Sequence, residues 1–166
     1  MSERSSSLKI AATSDLHYTK HSPQLHAHLL AEASRVADVL LLCGDLTDYG
    51  LPDEARLLAD DIRTNVHIPV LAVFGNHDFE SGNIEEIRGI MEKIGVIMLD
   101  GESTEVEGVG FAGVPGFGGG FGKRMLNAWG EPCIKAFVQE AIDHAVRLEQ
   151  ALARLHTERR VVLLHY

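Results

Sequence analysis

The sequence predicts a single α/β domain, and three observations lead there. Short apolar runs alternate with stretches whose apolar residues recur at helical spacing. The runs end directly in loops that carry aspartate, asparagine or histidine. A later stretch breaks this rhythm with short segments bounded by glycine turns, which adds an antiparallel portion to an otherwise parallel sheet.

The elements follow in order. Residues 8–13 read as a first strand ending just before Asp15. Leu25, Leu29, Leu30, Ala33 and Val36 lie at helical spacing and predict a helix over about 23–36. Residues 39–43 are continuously apolar and bounded by Gly44, as suits a strand covered on both faces, and Asp45 follows at once. Pro52 fits the first turn of a second helix, where its missing N–H costs nothing, and Ala55, Leu58, Ala59 and Ile62 give that helix one apolar stripe. Residues 70–74 form another doubly covered strand and deliver Gly75-Asn76-His77-Asp78. Ile84, Ile87, Met91 and Ile94 then mark a third helix that Gly95 stops. Right-handed β-α-β crossovers would bring the ends of these parallel strands to one edge, so their loops converge.

Between Val96 and Val114 the segments shorten, with turn signals at Asp100-Gly101 and Glu107-Gly108. Residues 116–122 are too rich in glycine for a regular element and predict a mobile loop near the site. A long helix is expected over about 132–156, with Phe137, Val138, Ile142, Ala145, Leu148 and Leu155 on its packing face. Residues 161–164 form a last strand leading into His165.

The chain has 166 residues and neither an internal repeat nor a linker, so one domain is expected over 1–166. Hydrophobic residues at 45% and charged residues at 23% make disorder a poor description. A formal net charge of -9 argues against capture of nucleic acid, whose phosphates need a basic surface. Cys43 and Cys133 belong to no paired-cysteine zinc pattern, and Cys43 ends an apolar run as a core thiol would. Residues 1–7 are polar and lack the apolar stretch of a secretory signal, and no run reaches membrane-spanning length. These features predict a soluble, cytoplasmic protein with no membrane partner. Oligomeric state has no signature in the sequence.

The loop residues carry the chemistry. Asp15 and His17, two apart at a strand end, can grip one ion with oxygen and nitrogen. The two carboxylate oxygens of Asp45 could bridge two ions. Asn76 offers a neutral carbonyl oxygen to a second cation, His165 could add nitrogen to it, and His77 and Asp78 stand beside. Singly, each motif favours a blander origin, since aspartates cap helices and Gly-Asn and Gly-Asp mark turns. Jointly they favour a metal site, because all four follow apolar strands in the same topological position. Tyr18 and Asp48 flank these loops and read as supporting or pocket residues, with a surface role equally open. His21, His26 and His28 surround a helix start and read as solvated. The glycine loop lacks the Lys-Ser/Thr of a nucleotide-binding loop, and Trp129 reads as a packing residue.

Asp15-Leu16-His17, Gly44-Asp45-Leu46-Thr47, Gly75-Asn76-His77-Asp78 and His165, in this order, resemble the calcineurin-like metallophosphoesterase superfamily over nearly the whole chain. The resemblance implies a mixed β-sandwich flanked by helices and two divalent metal ions, Mn, Fe, Zn or similar. By it, Asp15 and His17 hold the first metal, Asp45 bridges, and Asn76 and His165 hold the second. His77 sits near the leaving-group oxygen and Asp78 orients it. The implied reaction is hydrolysis of a phosphomonoester or phosphodiester by a hydroxide generated between the ions. The family's closing Gly-His-x-His occurs nowhere between Phe79 and Tyr166, which leads to the expectation of a domain truncated after the strand that ends at His165. It also opens the alternative of a scaffold or binding module that keeps the fold without catalysis. A nuclease of the same superfamily is disfavoured by the acidic balance.

Overall fold

Two parallel strands covered on both faces organise the molecule. In the computed structural model, which describes residues 7–21, 24–116 and 122–165, four parallel strands form one sheet in the order β1 (Ile10–Thr13), β2 (Val39–Cys43), β3 (Val70–Val73), β4 (Ile97–Met98). Helices α1 (Ala27–Val36), α2 (Pro52–Asn65) and α3 (Ile84–Lys93) make the crossovers. The second sheet holds β5 (Ser103–Val106), β6 (Val109–Gly113) and β7 (Arg159–Leu163), with α4 (Pro132–Ala153) between β6 and β7.

Side-chain alternation along β2 and β3 explains their unbroken apolar runs. Leu40, Leu42 and Ala72 face α1, α2 and α3 and share a core with Leu30, Leu58 and Ile87. Val39, Leu41, Leu71 and Val73 face the other way and meet Val109, Phe111 and Leu163 of the second sheet. On the outer side of that sheet, Ala112 packs with Ala151 and Leu155, which brings in α4. The layers therefore run helices, sheet, sheet, helix, the mixed sandwich flanked by helices that the resemblance implied. No helix of the described residues is long and apolar enough to cross a membrane.

Several boundaries differ from the sequence expectation. α1 begins at Ala27, not near residue 23, because Gln24 lies at φ 61, outside right-handed helical geometry. The antiparallel portion is smaller than expected: among the described residues only β5 and β6 pair antiparallel, across a turn with Glu107 at φ 50 and Gly108 at φ 74, while β4 joins β3 and β7 joins β6 in parallel. β7 starts at Arg159 because backbone pairing with Val109 continues whatever the side chains. α4 ends at Ala153, and its packing face is narrower than its pattern suggests. Val138 and Ala151 are buried, but Phe137 is 50% exposed and Ile142 and Ala145 are exposed as well. Amphipathic spacing reports a helix's apolar face and carries no information on how far a partner surface extends beneath it. Trp129, read as a packing residue, is likewise exposed. The predicted mobile loop falls largely on residues 117–121, outside the described residues.

Candidate metal centre

The carboxyl ends of β1, β2 and β3 open on one edge, where the four motif segments meet. The loops there are unusual in backbone geometry. Asp15 (φ 56), His17 (φ 42) and Asp45 (φ 49) all occupy the left-handed region. For residues with a Cβ, each such conformation costs on the order of 1–3 kcal/mol and persists only where the surroundings over-determine it. Here the first two loops are zipped together: the N–H groups of Asp15, His17 and Tyr18 donate to the carbonyls of Gly44, Asp45 and Leu46 at 3.1, 3.0 and 3.1 Å. Two glycines let the remaining pieces close in. A Cβ on Gly44 would run into the His165 ring, and one on Gly75 would collide with the Asp45 carboxylate.

Asp45 is the centre of the arrangement, 4% exposed. Its Oδ2 lies 3.7 Å from His17 Nε2 and 3.4 Å from His165 Nε2, and its Oδ1 accepts the backbone N–H of His77 at 2.9 Å. Asp15 Oδ1 is 3.8 Å from His17 Nε2. Among the described residues two donor groups result, His17 with Asp45 and His77, and Asp15 with Asp45 and His165, each with its ligating atoms within 4.8 Å of one another. Donors held tetrahedrally by one ion at bond lengths of about 2.0–2.2 Å stand about 3.4 Å apart, so the side chains would draw inward to close either group. Carboxylate and imidazole donors of this kind fit a borderline divalent ion. Asn76 stands exposed on the same edge, at the head of the His77–Phe79 turn.

The histidines are set by their second nitrogens. Nδ1 of His165 donates to the Cys43 carbonyl at 2.8 Å, which leaves Nε2 bare toward Asp45. Nδ1 of His77 donates to the Asp48 carbonyl at 2.6 Å; that carbonyl, reinforced by the Asp45, Glu80 and Asp48 carboxylates, holds the His77 pKa above the ordinary 6.5. His17 Nδ1 faces the Asp48 carboxylate at 3.2 Å, without an aligned hydrogen bond. The His17 and His77 rings meet edge to face, with centroids 4.6 Å apart. Asp48 thus touches two of the three histidines, the supporting role its position in the sequence suggested. Glu80, 3.6 Å from His77 Nδ1, carried no signal beyond its place one turn after His77.

Asp78 behaves differently from the expectation that it orients the His77 ring. The ring's acidic neighbours are Asp45, Asp48 and Glu80, whereas the fully buried Asp78 carboxylate accepts the N–H groups of Leu46 (3.2 Å), Thr47 (2.8 Å) and Gly75 (2.9 Å) and the Thr47 hydroxyl (2.6 Å). Burial pushes its pKa up while these four donors pull it down. A carboxylate so placed stitches the loop after β2 to the loop after β3, and so positions His77 through the backbone.

Two further expectations change. His26, read as solvated, is half-buried with Nε2 2.8 Å from the Leu16 carbonyl. Tyr18 is entirely buried, its hydroxyl donating to Asp61 at 2.7 Å in mid-α2.

Comparison with known proteins places this edge in a family. A model of the calcineurin-like phosphoesterase family matches residues 8–154, and the chain belongs to that family. Phosphoesterases that work with divalent metals are its general class. In fold, the chain is similar to the crystal structure of TT1561 of Thermus thermophilus, with a TM-score of 0.64 and 20% identity over 96% of this chain and 68% of that one. At that identity the likeness speaks for the fold alone. No curated protein matches the chain in sequence.

Proposed function

We propose that the chain hydrolyses a phosphomonoester or phosphodiester with two divalent ions, Mn, Fe, Zn or similar. Asp15 and His17 hold the first ion, Asn76 and His165 the second, and Asp45 is shared. The observation that supports a shared Asp45 is its membership in both donor groups, with one oxygen close to His17 and His165; the groups themselves set His17 beside His77 and Asp15 beside His165, so the division of the other ligands between the ions follows the family resemblance. Bound divalent ions supply neutralisation of the phosphate charge and acidify the attacking water.

The chain's own residues then have distinct tasks. Asp45 Oδ1 fixes the backbone of His77, and the Asp48 carbonyl fixes the Nδ1–H tautomer. The Nε2 of His77 is thereby the ring atom free to meet the leaving-group oxygen. A raised pKa favours the protonated imidazole, the form that gives a proton to a departing alkoxide. Asp78 is a positioning residue in this scheme. Turnover of a chromogenic phosphate ester by the full protein, with and without Mn²⁺, tests the proposal. Metal-dependent hydrolysis that Asp45→Asn and His77→Ala abolish is expected. Metal binding without turnover would support the scaffold alternative, and hydrolysis unaffected by both substitutions would defeat the assignment.

A further inference from the structure

We propose that Tyr18 and Asp61 form a positioning device for the metal loop, a buried tie from α2 that holds Asp15 and His17 in their left-handed backbone. The inference rests on the reading above that these two side chains take a divalent ion.

The loop after β1 has an unusual mechanical problem. Two of its non-glycine residues, Asp15 and His17, have positive φ, and relaxing either one would swing a proposed ligand away from Asp45. Its backbone bonds run to residues 44–48, another loop that is itself left-handed at Asp45 and is held in turn by the Asp78 carboxylate at Leu46 and Thr47, so none of them reaches a helix. Ties to regular structure come from side chains. His26, the cap of α1, holds the Leu16 carbonyl. Tyr18, next to His17, carries its ring into the core between loop and helix and ends on Asp61, within the 14-residue α2.

The burial of this pair makes the tie stiff. Tyr18 is 0% and Asp61 6% exposed, and the bond is 2.7 Å long. Water has little access to replace it, and Asp61 stripped of the phenol would keep a buried carboxylate short of a donor. Because Tyr18 and His17 are consecutive, a displacement of the phenol passes directly to the imidazole. The core alone would be served as well by phenylalanine against leucine, so the polar pair adds a fixed distance between helix and loop.

Calorimetric titration of the full chain with Mn²⁺, alongside thermal unfolding of the metal-free protein, separates positioning from simple stability. Tyr18→Phe is expected to lower the melting temperature and to weaken Mn²⁺ binding by about tenfold or more. Adding Asp61→Leu removes the stranded carboxylate and should recover the melting temperature while binding stays weak. Asp61→Asn, which keeps an acceptor for the phenol, should bind Mn²⁺ nearly as the parent does. Phe111→Ala, destabilised from the inter-sheet core, serves as a control whose affinity should not fall. A double variant that binds Mn²⁺ like the parent, or a Tyr18→Phe loss no greater than that of Phe111→Ala, overturns the proposal. If the parent protein binds no Mn²⁺, the metal reading fails first and takes this inference with it.

Discussion

The two sheets handle left-handed backbone in opposite ways. Among the described non-glycine residues of the second sheet and its connections it falls on Glu107, in the Glu107-Gly108 hairpin turn, where the geometry suits the twist of the paired strands and the side chain is exposed. At the edge of the parallel sheet it falls on Asp15, His17 and Asp45, whose side chains converge on one another. Glycine would relieve the second set at no steric cost, yet it would remove the donor atoms. Strain has settled where a side chain cannot be traded for flexibility, and it is offset by hydrogen bonds between loops and by the carboxylates of Asp78 and Asp61 beneath them.

Substitutions can break this contrast, the strongest first. Asp45→Ala should remove the shared donor and free the His77 N–H, lowering metal-dependent turnover by at least about 100-fold. In the second sheet, Phe111→Ala should cost about 3–5 kcal/mol in urea unfolding and leave Mn²⁺ affinity alone. If both substitutions act on metal affinity, the division between a site edge and a supporting sheet is wrong. Gly75→Ala should push the Asp45 carboxylate aside and weaken Mn²⁺ binding by about tenfold, measured by calorimetry.

The pH dependence has a definite sign. In the metal-free protein the His77 pKa lies above 6.5, so its protonated form contributes stability that is fully present below 6.5 and lost as pH rises through the raised value. Imidazole NMR shifts of metal-free protein check the titration, and a His77 midpoint at or below 6.5 would contradict the Asp48 geometry. The smallest effect is expected at Ile142 on the open part of α4, where Ile142→Ser should change unfolding free energy by no more than about 0.5 kcal/mol.

What the sequence discloses follows from the range of each interaction. The unbroken runs 39–43 and 70–74 announce strands covered on both sides, because burial on two faces erases alternation locally. The ligand-bearing motifs are legible for the same reason, each lying next to the strand that presents it. Tyr18 and Asp61 are 43 residues apart, and Asp78 meets Leu46 across 32. Neither pairing leaves a local pattern, so the sequence suggests His77 as the partner of Asp78 when, besides Gly75, its partners lie on the preceding strand's loop. His26 looks solvated for a like reason, since only the folded loop brings the Leu16 carbonyl to its ring.

The spacing of the donor atoms depends on atoms that are missing. With no methyl at 44 or 75, the imidazole of His165 and the carboxylate of Asp45 sit flush against bare main chain. The gap between donors is thus gauged by the peptide units themselves, with no side chain between. A side chain added at either position would have to pry those ligands apart, and an ion of different radius is the natural way to look for the lost grip.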